Sequence, residues 1–473
     1  MATPVRTEGP GAHTPERPAG TVPAQRRAGG TGAVVLPSGP LARLGRATRT
    51  APGRLRLAGA LLAVLTLAFG ALTAVQVNSR AAAAQRVVDN SQPLSQAAAD
   101  INRSLADADA TAATGFLLAG AEPRAVRDRY EQDLRTASQL IAESASRTPA
   151  SSQLRELLSK LNQQVPVYAG LVETARANNR QGYPLGGAYQ RYASEQMRTV
   201  LLPAAAQFSA AENALLAEDM KAARATPWAG YALGLLALAG LVWVQLTLFR
   251  RTNRVFNIGL VAATAAVLAA VLWLTVAANG AATALARGDR EGGVPLRALN
   301  SARVDVLTAR LAENLHYVAR GSSGVYADLW SKTTEHLVTS DPGRAGPGTL
   351  LQAQSLAPRA AEGPIAQAVA DYQQWRERHT AASKLENDGD YQAALDATVT
   401  AREADAPKTA EAAFAAADRQ LADAAVLEEG EFRDAALGVD EDLRTAAAAI
   451  AVLGLLAAAA ALRGLGRRLA EYR

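Results

Sequence analysis

Histidine is scarce in this chain, with His13, His316, His336 and His379 the only four, and cysteine is absent. Zinc centres gather three or four such ligands at close spacing, and the zinc protease motif needs two histidines four residues apart on one helix. Neither pattern occurs here, and His316 beside Tyr317 reads as an ordinary bundle residue. Gly182, Gly186 and Gly187 do not form a phosphate loop, because no strand precedes them. No catalytic residue, metal ligand or cofactor site is assigned, and the chain reads as a non-enzyme.

The residues with recognition chemistry are aromatic and basic. Arg180, Tyr183, Tyr189, Arg191 and Tyr192 surround a glycine-proline turn within Asn178 to Tyr192. Tyrosine and arginine are enriched where one protein grips another. The alternative is an interhelical turn whose tyrosines cap a core. A second group, Arg250, Arg251, Arg254, Arg467 and Arg468, lies beside apolar stretches, where it could contact a cytoplasmic protein or serve only as a topology signal. Acidic residues such as Glu386, Asp388, Asp390, Glu428, Glu429, Glu431 and Asp440 to Asp442 read as a solvated face, or as steering for a basic partner.

Four apolar stretches position these groups: 55–77, 227–249, 256–278 and 443–462, each near the ~20 residues that cross a bilayer core. Arginines collect in 1–54, in the loop 250–255 and in the tail 463–473. By the positive-inside bias these segments are cytoplasmic, with both termini inside, and 78–226 and 279–442 are external. The spans hold few polar groups, Thr66, Gln245, Thr247 and Thr275 among them, and lack the charged or broken helices of carriers. Segment 1–54, rich in Pro, Gly and Arg, is expected to be disordered. The apolar stretch that follows it is longer than the core of a cleaved signal peptide.

Charge follows the same division. Segment 78–226 carries 16 basic and 15 acidic residues, 279–442 carries 16 and 26, and the remainder 17 and 3. The basic excess therefore sits beside the membrane, where it attracts anionic lipid, and nucleic acid is not an expected partner.

Both external segments show helical periodicity and none of the alternation of a strand. In the first, Leu94, Ile101, Leu105, Ala108, Ala112 and Phe116 share one face, and Leu158, Leu161, Val165, Tyr168 and Val172 another. Breaks at Gly120 to Pro123, Arg147 to Ser151 and Gly182 to Gly187 predict four helices of about 42, 24, 29 and 39 residues, with Pro166 and Pro203 as kinks. The outer helices are expected to run straight out of the spans, which places the first and third breaks at a membrane-distal tip. The second segment repeats the plan. Pro93-Leu94 recurs as Pro295-Leu296 and Tyr189-Gln190 as Tyr391-Gln392 at an offset of 202, while Phe208 recurs as Phe414 at 206. Ser340 to Pro364, rich in Gly and Pro, is expected to be a mobile loop. The fold class is all-α, with four transmembrane helices and two tandem extracytoplasmic four-helix bundles.

This layout resembles the sensing domains of chemoreceptors and sensor kinases, although no kinase or coiled-coil hub follows the spans. The stretch Asn178 to Ala206, with Asn179-Arg180-Gln181-Gly182, Gly186-Gly187-Ala188-Tyr189 and Leu201-Leu202-Pro203-Ala204-Ala205, is similar to a segment of the GlnX-like actinobacterial sensor proteins. That resemblance implies an extracytoplasmic solute-binding lipoprotein carrying a glutamate- or aspartate-type ligand, and a cytoplasmic serine/threonine kinase as output. It implies no residue-level site. A scaffold for an envelope or division complex, and an accessory subunit of an amino-acid importer, remain alternatives, and a homodimer is left open.

Overall fold

The computed structural model describes residues 51–118, 122–148, 152–252, 257–320, 324–338, 348–400, 402 and 404–470. Most of the expected tail, residues 120–121 of the first break, 149–151 of the second, 340–347 of the glycine-proline segment and 253–255 of the basic loop, Arg254 among them, lie outside the described residues. Every described element is helical.

The first half comprises α1 (Ala51–Arg86), α2 (Gln92–Leu117), α3 (Arg124–Arg147), α4 (Gln153–Arg180), α5 (Leu185–Gln196), α6 (Leu202–Arg224) and α7 (Trp228–Thr252). The second comprises α8 (Ile258–Gly288), α9 (Val294–Val318), α10 (Gly324–Val338), α11 (Thr349–Leu356), α12 (Arg359–Asn387), α13 (Tyr391–Thr398), α14 (Ala410–Ala436) and α15 (Val439–Ala470).

Three π turns join helices into longer rods: Val87–Ser91, Met197–Leu201 and Asp289–Gly293. Each ends two residues before a proline: Pro93, Pro203 and Pro295. Proline cannot donate a helical hydrogen bond, and its ring collides with the carbonyl four residues back. That carbonyl lies inside the π turn in every case, where the wider ring takes up the collision without ending the helix. The first and third turns are separated by the repeat offset already visible at Pro93 and Pro295.

Among the described residues four helices are long and apolar enough to cross a membrane, as a multi-pass membrane protein requires. Their shared core includes Leu62, Phe69, Leu241, Val267, Leu274 and Ile450, while Leu61, Val64, Leu235, Trp243 and Val276 face outward. α1 and α15 cross where a Cβ on Gly70 would lie 3.1 Å from the Gly454 Cα, so only small residues permit the approach. α7 and α8 are tied by Gln245, whose Nε2 donates to the Thr264 hydroxyl at 2.7 Å.

The helices entering the bundles differ from those leaving. α1 to α2 and α8 to α9 are continuous over Gly53–Leu117 and Ile258–Val318, whereas α6 stops at Ala225 to Pro227 before α7, and α14 stops at Leu437 and Gly438 before α15. The expectation that the outer helices of each bundle run straight into the spans holds for the entering helix alone. Pro227 explains the first interruption, since the residue before proline is driven out of the helical region.

α2 to α6 surround a core of Ile101, Leu105, Ile141, Leu161, Tyr168 and Phe208. α9 to α14 surround Leu307, Ile365, Tyr372, Trp375 and Phe414. The two groups pack side by side through α2 and α9, with Ala110 and Ala113 against Leu311, Leu315 and Val318. Because α2 has neighbours on every side, residues 104–115 are buried without interruption. Within the expected mobile loop, Thr349–Leu356 and the start of α12 are helical, and Pro364 lies inside α12. In the second half the helix corresponding to α5 ends at Thr398, and a short turn at Ala406–Lys408 lies between it and α14. The change of offset from 202 to 206 falls between those two helices.

Candidate functional site

The turn carrying the sequence-predicted tip residues is tightly built. The Asn178 carbonyl accepts from the N–H of both Gln181 and Tyr183, at 3.2 and 2.9 Å. Gly182 has φ 74°, a left-handed conformation that side-chain-bearing residues rarely adopt. Asn179 Nδ2 donates to the Phe116 carbonyl at 2.7 Å, pinning the turn to the end of α2. α5 then buries Gly186, Gly187, Gln190, Ala193 and Ser194.

Arg180, Tyr183 and Tyr192 are exposed, with Tyr183 and Tyr192 at 57% and 61%, while Tyr189 and Arg191 are half-buried. Tyr183 and Tyr192 therefore do not cap the core. Gly187 approaches Val318, so the tip of the first bundle abuts the end of α9.

Beneath the tip lies a polar centre that the sequence reading missed. Asp109 is fully buried, and one of its oxygens accepts from the hydroxyls of Tyr168 at 3.0 Å and Ser194 at 2.8 Å. Its other oxygen, the Tyr130 hydroxyl and both amide atoms of the buried Gln190 have no protein partner. Burial raises the Asp109 carboxyl to about 7, with the two hydroxyl bonds opposing the rise. Arg176 lies 4.3 Å above the Tyr130 ring and pairs with Glu122 at 2.9 Å. The available signal was α2 itself: Ala-Asp-Ala-Asp-Ala-Thr has small or polar residues on every face, as a helix buried all round requires when its neighbours are close.

Polar contacts then cross to the second bundle. Arg129 binds both oxygens of Asp107 and also Asp418, the latter at 2.7 Å. Asn314 Nδ2 donates to the Thr114 hydroxyl at 2.7 Å and to the Ala110 carbonyl at 3.2 Å. Inside the second bundle Glu313 accepts from Arg310, from Trp375 Nε1 at 3.0 Å, and faces His379 Nδ1 at 2.8 Å. Burial alone would raise the Glu313 carboxyl, but Arg310 and His379 hold it below the usual carboxylate range.

His316, His336 and His379 pair with Glu386, Asp305 and Glu313 respectively. Among the described residues no group of three or more His, Asp or Glu could hold a metal ion. The acidic group is not uniformly solvated: Glu428 is fully buried, and burial raises it to about 8.

At the opposite end, Arg250 and Arg467 are exposed. The side chains of Arg251 and Arg468, like Arg254, lie outside the described residues. Asn257 Nδ2 donates to the Gly464 carbonyl at 2.7 Å, and Gly59 approaches Leu465. The starts of α1 and α8 and the end of α15 therefore share one end of the span group.

The protein thus joins a helical bundle, a buried polar centre and four apolar spans, and comparison with known families bears on the bundle. Residues 83–221 match the actinobacterial sensor domain. The match runs from the end of α1 to α6, so the sensor domain contains the Tyr183 turn, the Asp109 centre and two of the three π turns. α7 to α15 fall outside it. No curated protein and no solved structure matches the chain. The matched family points to a sensing role for residues 83–221.

Proposed function

We propose that this protein is a non-enzymatic transmembrane sensor of external glutamate- or aspartate-type amino acids. A solute-binding lipoprotein presents the ligand at Arg180, Tyr183, Tyr189, Arg191 and Tyr192. A cytoplasmic serine/threonine kinase reads the response at Arg250, Arg251, Arg254, Arg467 and Arg468. In this reading 78–226 and 279–442 are extracytoplasmic, and both termini are cytoplasmic.

The observation that supports it best is the pair of continuous rods, 65 residues over Gly53–Leu117 and 61 over Ile258–Val318. At ~1.5 Å rise per residue each spans roughly 90 Å or more, from the packed tips of α2 and α9 through the membrane. A rod moves as a unit, so a shift at the α2–α9 contact reaches α1 and α8 without passing through a flexible joint. The returning helices are interrupted at Ala225 to Pro227 and at Leu437 and Gly438, so the entering rods are the elements that run unbroken from bundle to span.

The tip assignment is tested with Tyr183→Ala combined with Arg191→Ala in the full-length protein. Capture of the solute-binding protein should fall at least tenfold with unfolding unchanged, and undiminished capture would refute the assignment.

A further inference from the structure

A cleft of about 310 Å³ lies between the bundles on the span side, walled by α2, α6 and α9. It adjoins a second space of about 630 Å³ that reaches Thr226, and Asn213, Leu216, Arg297 and Phe432 line both. Gln92 and Gly293, which immediately follow or end the first and third π turns, form its floor. It is far along the rods from the Tyr183 turn.

The lining is rich in neutral hydrogen-bonding groups. Gln92, Gln96, Asn102, Asn213 and Asn300 contribute amides, and Ser95, Ser209 and Ser301 hydroxyls. Gln92 is 93% buried, being 7% exposed, and its Nε2 has no protein partner. Gln96 Nε2 and Asn102 Oδ1 are likewise buried and unpartnered. Buried amides are ordinarily satisfied, so three unmet groups beside one cleft point to amides that complete their hydrogen bonds by turning toward something that enters it. Ser95 Oγ already donates to Asn213 Oδ1 at 2.9 Å, which ties the α2 wall to α6.

Charge narrows the ligand class. Arg297 pairs with Asp289 at 3.1 Å, and Asp305 with His336 at 3.1 Å and the Thr349 hydroxyl at 2.8 Å. Both ionic groups of this cleft are therefore engaged within the protein, and Lys221, Arg224 and Asp289 line only the adjoining space, so an ion held in the cleft itself would be desolvated without a free counter-charge beside it. Hydroxyl groups answer this lining best, since each donates and accepts at one atom, and carbon faces can rest on Leu216, Leu296, Val304 and Phe432.

We infer that this cleft is a direct binding site for a small uncharged polyol or sugar. Its place between the π turns makes occupancy a wedge between the rods α1–α2 and α8–α9. The site goes beyond the tip-docking reading and stands whether or not a binding protein docks there.

The test uses the full-length protein in lipid nanodiscs, with myo-inositol and trehalose as probes and L-glutamate and L-lysine as charged comparisons. At least one polyol should raise the unfolding midpoint saturably at millimolar concentration. Gln96→Leu with Asn300→Leu should weaken that binding by roughly tenfold or more. Should that pair fail to fold, Ser209→Ala with Ser301→Ala replaces it and should weaken binding measurably. Absence of saturable binding by either polyol, binding of the charged solutes alone, or unchanged binding in a folded variant would each overturn the inference.

Discussion

Asn314 of α9 and Thr114 of α2, separated by 200 residues in sequence, meet at 2.7 Å with both side chains buried. Thr114 passes the contact on to the Ala110 carbonyl at 3.1 Å. Apolar residues of both helices surround the pair, so this hydrogen bond fixes the register of one rod against the other.

Asn314→Ala should destabilise the protein by about 1–3 kcal/mol, because it removes two donated bonds inside a packed contact. Combined with Thr114→Val, the loss should be smaller than the sum of the single losses. A double-mutant cycle of unfolding midpoints checks this, and strict additivity would mean that the two residues are not coupled.

Arg129 bridges Asp107 of the first bundle and Asp418 of the second. Arg129→Met leaves two largely buried carboxylates facing each other. The expected cost is about 1–3 kcal/mol, kept low because the guanidinium is itself partly exposed. Adding Asp418→Asn should recover part of the loss in thermal unfolding.

Stability should fall as pH rises from about 5 to 8. Burial raises Asp109 from 3.8 to about 7 and Glu428 from 4.5 to about 8, and Asp133 is raised by burial and by Asp107. In that window the folded state holds protons that the unfolded chain has released. Each such group contributes fully below its unfolded value and loses that contribution as pH climbs through the folded one, at about 1.4 kcal/mol per unit. Asp109→Asn should flatten the slope by one group and raise stability at pH 8 by up to about 4 kcal/mol. An unchanged slope in chemical denaturation would show that Asp109 ionises normally.

Gly454→Leu should disrupt the crossing of α1 and α15, since the Gly70 backbone leaves no room for a side chain. Overpacking of this kind costs about 1–3 kcal/mol. A lowered unfolding midpoint in nanodiscs is expected, and a midpoint like that of the parent would place the crossing elsewhere.

The spans and most bundle helices were legible because each has one clear period: α3 and α4 run 24 and 28 residues between breaks that Pro123, Thr148 and Gly182 announce. Pro203 announced a distortion, though not that a π turn would absorb it; Pro166, expected to kink its helix, lies inside α4, and Pro93 and Pro295 stood out only as repeat markers. The side-by-side packing was not legible, because α2 carries no second apolar stripe. Alanine and threonine allow close approach from any direction without specifying which neighbour comes. Asp109 and Gln190 were missed for the same reason, since a polar residue flanking an apolar face reads as solvent-facing until a second helix covers it. Helix α11 was hidden by its glycine-proline surroundings, although Thr349 to Leu356 contains neither residue.

The most direct test of the account is a pull-down of the tagged full-length protein from its own cells, grown with and without glutamate and aspartate, with partners identified by mass spectrometry. The account predicts an extracytoplasmic solute-binding protein together with a cytoplasmic serine/threonine kinase, in amounts that change with the amino acids. Recovery of wall-synthesis or division proteins alone, unaffected by amino acids, would contradict it.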